Sequence, residues 1–300
     1  MNSSNTKLKI DKIVSIIFLL LGIICASSIV LIVLFIAVNG IKPFVHDYGN
    51  GKVPFSSFIV GLSWSNNSFG VLGMAINTLY LTFLSSLVAL PLSVLTALFI
   101  VRIVPQKIAG VFQMVIELLA SIPSIVFGLF GMGVINKMVK NIANIFGVQT
   151  AGGISTLSTI IVLIIMMMPT ITMLSITSMK AVKQNQIHAS LALGATPAQT
   201  NFKIVIGGAK SGIFAALILG IGRALGEATA VSMVCGNAPT GPNFNFFDTT
   251  RTLTSTMMLG LHEASGQSYD IRFSVGIVLI AIILVTNICL NKVKQRLEKI

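Results

Sequence analysis

Residues 208–237 read GAKSGIFAALILGIGRALGEATAVSMVCGN, in which the apolar stretch 211–235 is interrupted by two charges, Arg223 and Glu227. A run of about 20 apolar residues is enough to cross a hydrocarbon core. A charged side chain at that depth costs about 2.5–3.5 kcal/mol on insertion scales. A spacing of four puts both charges on one helix face, where opposite signs partly neutralise each other. Hydrocarbon retains such a pair only beside a partner or a hydrated path. The stretch therefore predicts a membrane helix that borders a polar route. At 1.5 Å per residue, Arg223 falls about 18 Å from Ser211, near the bilayer centre, and Glu227 about one turn further out. Gly208, Gly212, Ala216 and Gly220 recur every four residues, and Gly222, Gly226 and Ala230 form a second row. Small residues at this spacing let backbones approach closely, so the helix is expected at the centre of a bundle. The GxGxxxG spacing follows no strand and lies inside a span, which excludes a dinucleotide loop.

The rest of the chain agrees with this reading. Of its 300 residues, 54% are hydrophobic and 9% charged, and the mean hydropathy is +0.94. Soluble domains carry about 25% charged residues, so this chain takes the bilayer as its solvent and has no sizeable extramembrane catalytic domain. Cys25, Cys235 and Cys289 lie in or at the ends of apolar runs and read as small hydrophobes, not as a disulfide scaffold. The net charge of +12 is scattered over the span ends with no basic–aromatic block, which argues against nucleic acid. No GxxxxGK[ST], metal-ligand cluster or nucleophile–base arrangement occurs. His46, His188 and His262 are isolated. The chain is expected to be no enzyme and to bind no cofactor of its own.

Six runs are long enough to cross: 13–38, 71–101, 108–135, 154–179, 211–235 and 273–290. The first follows Lys7, Lys9 and Lys12, but its length of 26 residues exceeds a signal-peptide core and reads as a retained span. Lys7, Lys9, Lys12, Arg102, Lys107, Lys180, Lys183, Lys203, Lys210, Lys292, Lys294, Arg296 and Lys299 collect on one side. Lys42, Lys52, Lys137, Lys140, Arg251 and Arg272 collect on the other. The positive-inside rule then places both termini in the cytoplasm. Two outer segments are long, 39–70 and 236–272. In the second, Leu253, Met257, Met258 and Leu261 predict an interfacial helix within 250–264.

Two shorter stretches carry further detail. In KAVKQNQIHASLALGATPAQT, residues 180–200, Ile187, Leu191 and Ala195 repeat at four, Gly194 stops a helix, and Thr196-Pro197-Ala198-Gln199 restarts one with a capping box. A short cytoplasmic helix of this kind either lies on the headgroups or docks in a groove on a partner. In the third run, Glu117 is followed by Ser121 on the same face and by Pro123 and Ser124, with Gly128 beyond. Proline and glycine there loosen the helix and free backbone carbonyls. Two roles remain open for Arg223: a staple to Glu227 that fixes helix register, or a cation lining an anion path with Glu227 holding its geometry. A guanidinium suits a tetrahedral oxyanion because it donates two parallel hydrogen bonds.

His188-Ala189-Ser190, Gly194 and Ile204 have the spacing of the EAA loop of ABC importer permeases, in which a coupling helix inserts into the ATP-binding subunit. His188 stands where that family has Glu, and Gly207 where it has Pro. Gly222-Arg223-Ala224-Leu225-Gly226-Glu227, with Glu117-Leu118-Leu119-Ala120-Ser121-Ile122-Pro123-Ser124 and Ala192-Leu193-Gly194-Ala195-Thr196, resembles the PstC-type permeases of phosphate ABC importers over about residues 70–290. Met233-Val234-Cys235-Gly236-Asn237 and Thr252-Leu253-Thr254 favour that type over the paralogous PstA type.

The resemblance implies an all-α membrane protein: six transmembrane helices in a type I ABC importer (MetI-like) permease bundle with a cytoplasmic coupling helix. It implies three regions: an N-terminal helix and outer segment (1–70), the transport domain (71–292) and a cytoplasmic tail (293–300). Arg223, Glu227, Glu117, Ser121 and Ser124 would line the substrate pathway. His188, Ala189, Ser190, Gly194, Ala195 and Thr196, within the loop 183–200, would couple to the ATPase. Gly212, Gly220, Gly222 and Gly226 would pack helices. Its implied partners are a PstA-like second permease, a PstB-like ATP-binding dimer that uses ATP and Mg, a PstS-like extracytoplasmic phosphate-binding protein, and membrane lipid, in a bacterial inner membrane. An importer of sulfate or molybdate, a scaffold that senses phosphate transport without conducting, and a proton-coupled carrier are the competing expectations.

Overall fold

In hydrocarbon every backbone N–H and C=O must be satisfied within the protein, and a helix does so with local bonds alone. The computed structural model describes residues 2–49, 51–65 and 68–298, so Lys299 lies outside the described residues. Six of the described helical segments are long and apolar enough to cross a membrane, as the sequence predicts. In chain order, α1 (Asn2–Val45) is followed by α2 (Phe55–Val60) and a two-stranded hairpin, β1 (Trp64–Ser65) against β2 (Ser68–Phe69). Next come α3 (Leu72–Leu98), which runs on through a π turn, then α4 (Gln106–Ser121), α5 (Ser124–Phe130) and α6 (Asn136–Ile145). α7 (Thr156–Lys180), α8 (Gln184–Ala192), α9 (Pro197–Gln199) and α10 (Ile206–Gly226) lead to α11 (Thr229–Val234), α12 (Leu253–Met258) and α13 (Gln267–Glu298).

The bundle is organised around α7. Ile160, Leu163, Met167 and Ile171 pack against Leu81 and Ala89 of α3 and Ala216 and Leu225 of α10. Toward the inner end, Ile176 and Met179 pack against Ala97, Ile116, Ile187 and Ala209. On the outer flank, Val162 and Met166 meet Phe127, Ala230 and Val234. α7 is thus more enclosed than α10, which the sequence reading had placed at the centre. Within α10 the first small-residue row packs, and of the second row only Ala230, in α11, is buried. A Cβ on Gly212 would fall 2.1 Å from Ser178 Oγ, and one on Gly220 2.8 Å from Ile171. Gly222 and Gly226 have no atom within 4 Å of such a position, so they do not pack helices within this chain.

Two predicted spans prove to be broken. The third is two helices in series, joined by extended backbone at Ile122 (ψ 128°) and Pro123 (ψ 141°). Proline removes a donor and disfavours helix at the residue before it, which accounts for the break. The segment 124–145 is apolar enough to cross on its own. Its neighbours place the crossing lower, near the predicted 108–135. Gln113 accepts a hydrogen bond from Lys180 at the inner end of α7, Ile116 packs with Ile176, Phe127 with Met166, and Gly131 abuts Val162. α6, with Lys137 and Lys140, then continues beyond that crossing. The fifth span does not run unbroken over 211–235: α10 ends at Gly226, and Glu227 is extended (ψ 114°) before α11 begins.

The expected interfacial helix in 250–264 is also corrected. α12 is six residues long, and Leu253, Thr254, Ser255 and Thr256 are buried. Thr252 and Ser255 form a capping box at its start. Buried Asn77 and Thr78 of α3 tie this outer segment down: Asn77 Nδ2 donates to the Arg251 carbonyl at 3.2 Å, and Leu253 N–H donates to Thr78 Oγ1 at 3.0 Å. α1 stands apart from the bundle. Its residues 11–35 are all exposed in this chain, and its contact with α13 begins at Phe35, whose ring meets that of Phe273 edge-on at 5.5 Å. There Ser274 Oγ donates to the Gly40 carbonyl at 2.6 Å, and a Cβ on Gly40 would fall 2.8 Å from the Phe273 backbone. Cys235 is buried and free, whereas Cys25 and Cys289 are free and exposed.

Candidate translocation site

Arg223 sits in the last turn of α10, half-buried, and its Nη1 donates to Thr170 Oγ1 of α7 at 3.0 Å. Thr170 follows Pro169 in the interior of α7. It lies 14 residues from one end of that helix and 10 from the other, about 21 and 15 Å at the helical rise. The guanidinium therefore lies beside the middle of α7. It does not lie against Glu227, because the helix that would align the two charges ends between them. Among the described residues no carboxylate is paired with Arg223, so the register-staple reading is set aside.

Glu227 acts locally. Its Oε1 accepts the Ala230 N–H at 3.0 Å, covering an unsatisfied donor at the start of α11, and its carbonyl accepts Thr254 Oγ1 at 2.7 Å. The side chain thus holds the joint between α10 and α11 and ties it to α12. Glu117 and Ser121 lie on one exposed face of α4, as their spacing predicts, and Ser121 Oγ donates to the Leu118 carbonyl at 2.7 Å. Ser124 opens α5 and is half-buried. No hydrogen bond or ion pair among the described residues joins these three to Arg223.

Arg223 faces a groove of about 520 Å³ between α10 and α13, bordered by Gly222, Asn287, Asn291 and Lys294. Thr170, Asn287 and Asn291 escaped the sequence reading because neutral polar residues inside apolar runs do not interrupt hydropathy. The available signal was the Asn287–Asn291–Lys294 spacing of four and three, which puts the three on one helix face. Arg251 in the outer segment was assigned only a topological role. It is half-buried, its Nε and Nη1 have no partner, and burial, more than the neighbouring charge of Arg272, lowers its pKa. Arg272 Nη1 donates to the Thr256 carbonyl at 2.7 Å and to that of Leu259, closing the end of α12.

Beyond the Lys180 end of α7, α8 and α9 take the predicted form. Gly194 adopts φ +84°, which glycine reaches without steric cost, and Thr196 and Gln199 form the capping box. Of the expected repeat Ile187, Leu191 and Ala195, only Ile187 is a buried anchor, at 3% exposure, and Leu191 faces out. Ser190 Oγ and Thr200 Oγ1 lie 2.9 Å apart and clip the turn. His188, Ala189 and Thr196 are exposed, Ala195 is half-buried, and Leu193 at 89% exposure projects from the bundle.

Residues 89–299 match the family described as binding-protein-dependent transport system inner membrane component. The chain is 32% identical over 265 residues to the probable ABC transporter permease protein YqgH of Bacillus subtilis (strain 168), covering 86% of this chain and 82% of that protein. It is 28% identical over 265 residues to the phosphate transport system permease protein PstC of Pasteurella multocida (strain Pm70), covering 82% of each. The PstC of Mycobacterium leprae (strain TN) is 29% identical over 213 residues, 67% of each chain. Among solved structures, a chain of a bacterial alginate ABC transporter superposes with a TM-score of 0.61 at 19% identity, over 93% of this chain and 94% of that one. A chain of the inward-facing MetNI methionine ABC transporter gives 0.56 at 16% identity, over 74% and 93%. The fold is that of type I ABC importer permeases. The chain belongs to the family of binding-protein-dependent transport system inner membrane components and is a permease subunit of an ABC importer.

Proposed function

We propose that this permease imports phosphate and that Arg223 receives the anion at mid-membrane. The observation that carries the reading is a mid-depth guanidinium, bonded to a single hydroxyl, that opens on a groove. Moving a multiply charged oxyanion into low dielectric is costly without a cation, and a guanidinium with unused N–H groups supplies one. The relatives named PstC support phosphate as the anion. Glu227 holds the α10–α11 joint above the arginine; Glu117, Ser121 and Ser124 face the second, PstA-like permease that completes the pathway.

The exposed surface of α8 and α9, around His188, Ala189, Leu193 and Thr196, docks on the ATP-binding subunits, which use ATP and Mg. Ile187 transmits the push into the bundle. An extracytoplasmic binding protein delivers phosphate to the outer segments. The transport domain spans 71–292, between the N-terminal helical region and the tail from 293. The protein lies in a bacterial inner membrane with both termini cytoplasmic. Uptake of radiolabelled phosphate by the assembled transporter tests this directly: Arg223→Ala should abolish uptake while membrane insertion stays intact. Normal uptake by that variant removes Arg223 from the path. Competition by sulfate or molybdate as strong as by phosphate overturns the choice of anion.

A further inference from the structure

We propose that the inner leg of the route is the groove between α10 and α13, along which a partly hydrated oxyanion leaves Arg223 past the amides of Asn287 and Asn291 toward Lys294. The inference rests on the reading of Arg223 as the mid-membrane station. Residues 287, 291 and 294 are spaced by four and three and so share one face of α13. All three border the groove that Arg223 faces. The helices run antiparallel, so Asn287 borders the Gly222–Arg223 level and Lys294 the level of Ala215. Polar side chains thus continue from mid-depth to the inner end of the bundle.

Two further observations point to a hydrated groove. Asn287 Oδ1 is buried and has no hydrogen-bond partner. A buried amide oxygen without a donor is destabilising, and a water entering a polar groove supplies one, whereas the amide N–H groups are the ones that can face an anion. Gly222, with open space where a Cβ would project, widens the groove beside Arg223. Leu284, Val285 and Ile288 on the adjoining faces of α13 are 56%, 61% and 55% exposed. Neutral amides beyond a cationic station also suit conduction. A pathway must bind its ion well enough to admit it and weakly enough to release it. Amides can turn donors to the anion without adding charge that would trap it.

Cysteine accessibility in the assembled transporter tests the groove without relying on transport. In a background with exposed Cys25 and Cys289 changed to Ser and buried Cys235 retained, single substitutions Asn287→Cys, Leu284→Cys and Ile288→Cys compare positions of similar depth. A membrane-impermeant methanethiosulfonate reagent applied from the cytoplasmic side reacts with thiolate, which forms in water and not in hydrocarbon. Asn287→Cys should react at least about tenfold faster than the other two, by the same logic. Inorganic phosphate should slow its modification. Asn287→Leu should lower phosphate uptake about tenfold, the scale of one lost bond to a charged group, with Asn287→Gln retaining more. Equal labelling at all three positions, or none at 287, overturns the proposal. Protection by sulfate or molybdate in place of phosphate upholds the groove as the route and overturns phosphate as the passenger.

Discussion

A guanidinium bonded to one threonine keeps most of its five donors for another group. Thr170→Val removes the hydroxyl at nearly constant volume. It should weaken apparent phosphate affinity about fivefold, the worth of one ordinary hydrogen bond, and leave expression unchanged. Arg223→Lys keeps the charge but loses the planar fork, so uptake should fall at least about tenfold. Uptake assays over a range of phosphate concentrations separate the two effects. A third residue offers a pH signature. Tyr48 hydrogen-bonds to Asp270, and burial together with that carboxylate pushes the phenol up to about 12. The folded value lies above the ordinary 10.0, so the contribution of the contact is complete below about pH 10 and is lost as the pH rises through about 12. Absorbance titration should show one late tyrosine, absent in Tyr48→Phe. Arg223 was legible because a charge in hydrocarbon announces itself. Thr170 was not, because only tertiary packing shows which hydroxyl a long side chain will reach.

At the scale of elements, signals that act within four residues were read well. The Thr196–Gln199 capping box and the left-handed Gly194 depend on nothing distant. The capping box at Thr252 and Ser255 is equally local, and its Thr-Leu-Thr-Ser pattern could have been found. The joint at Glu227 was hidden, since the apolar run passes through it and neither proline nor a polar cluster marks it. What ends α10 there is an alternative set of bonds from Ala230 and Thr254. The joint at Pro123 carried a visible mark, although the mark alone does not distinguish a kink from an extended link. α8 offers a prediction in two parts. Ile187→Ala leaves a cavity beneath the helix and should cost about 2–5 kcal/mol of its anchoring, seen as faster amide exchange across 184–192. Leu193→Asp, on a fully projecting side chain, should leave that exchange unchanged and weaken co-purification of the ATP-binding subunits.

At the scale of the molecule, six crossings were legible from length and composition, and their arrangement was not. Hydropathy weighs 154–179 and 211–235 alike, whereas contacts give the central place to α7. The attachment of α1 is likewise a matter of packing: Gly40 lies against the Phe273 backbone, so Gly40→Leu should separate α1 from α13 at the outer end. A disulfide trap between cysteines placed at 36 and 276, where a Cβ on Gly276 would fall 3.3 Å from the Ile36 side chain, should be efficient in the parent and poor in the variant. Gly22→Leu, where nothing lies within 4 Å, should leave the trap unchanged. The exposure of residues 11–34 has a broader meaning. Side chains there answer to the thickness and oiliness of their surroundings and not to the shape of a neighbour in the same chain. Across that stretch leucine, isoleucine, valine and phenylalanine are nearly interchangeable currency, so the order of letters can drift freely while the length of the word cannot.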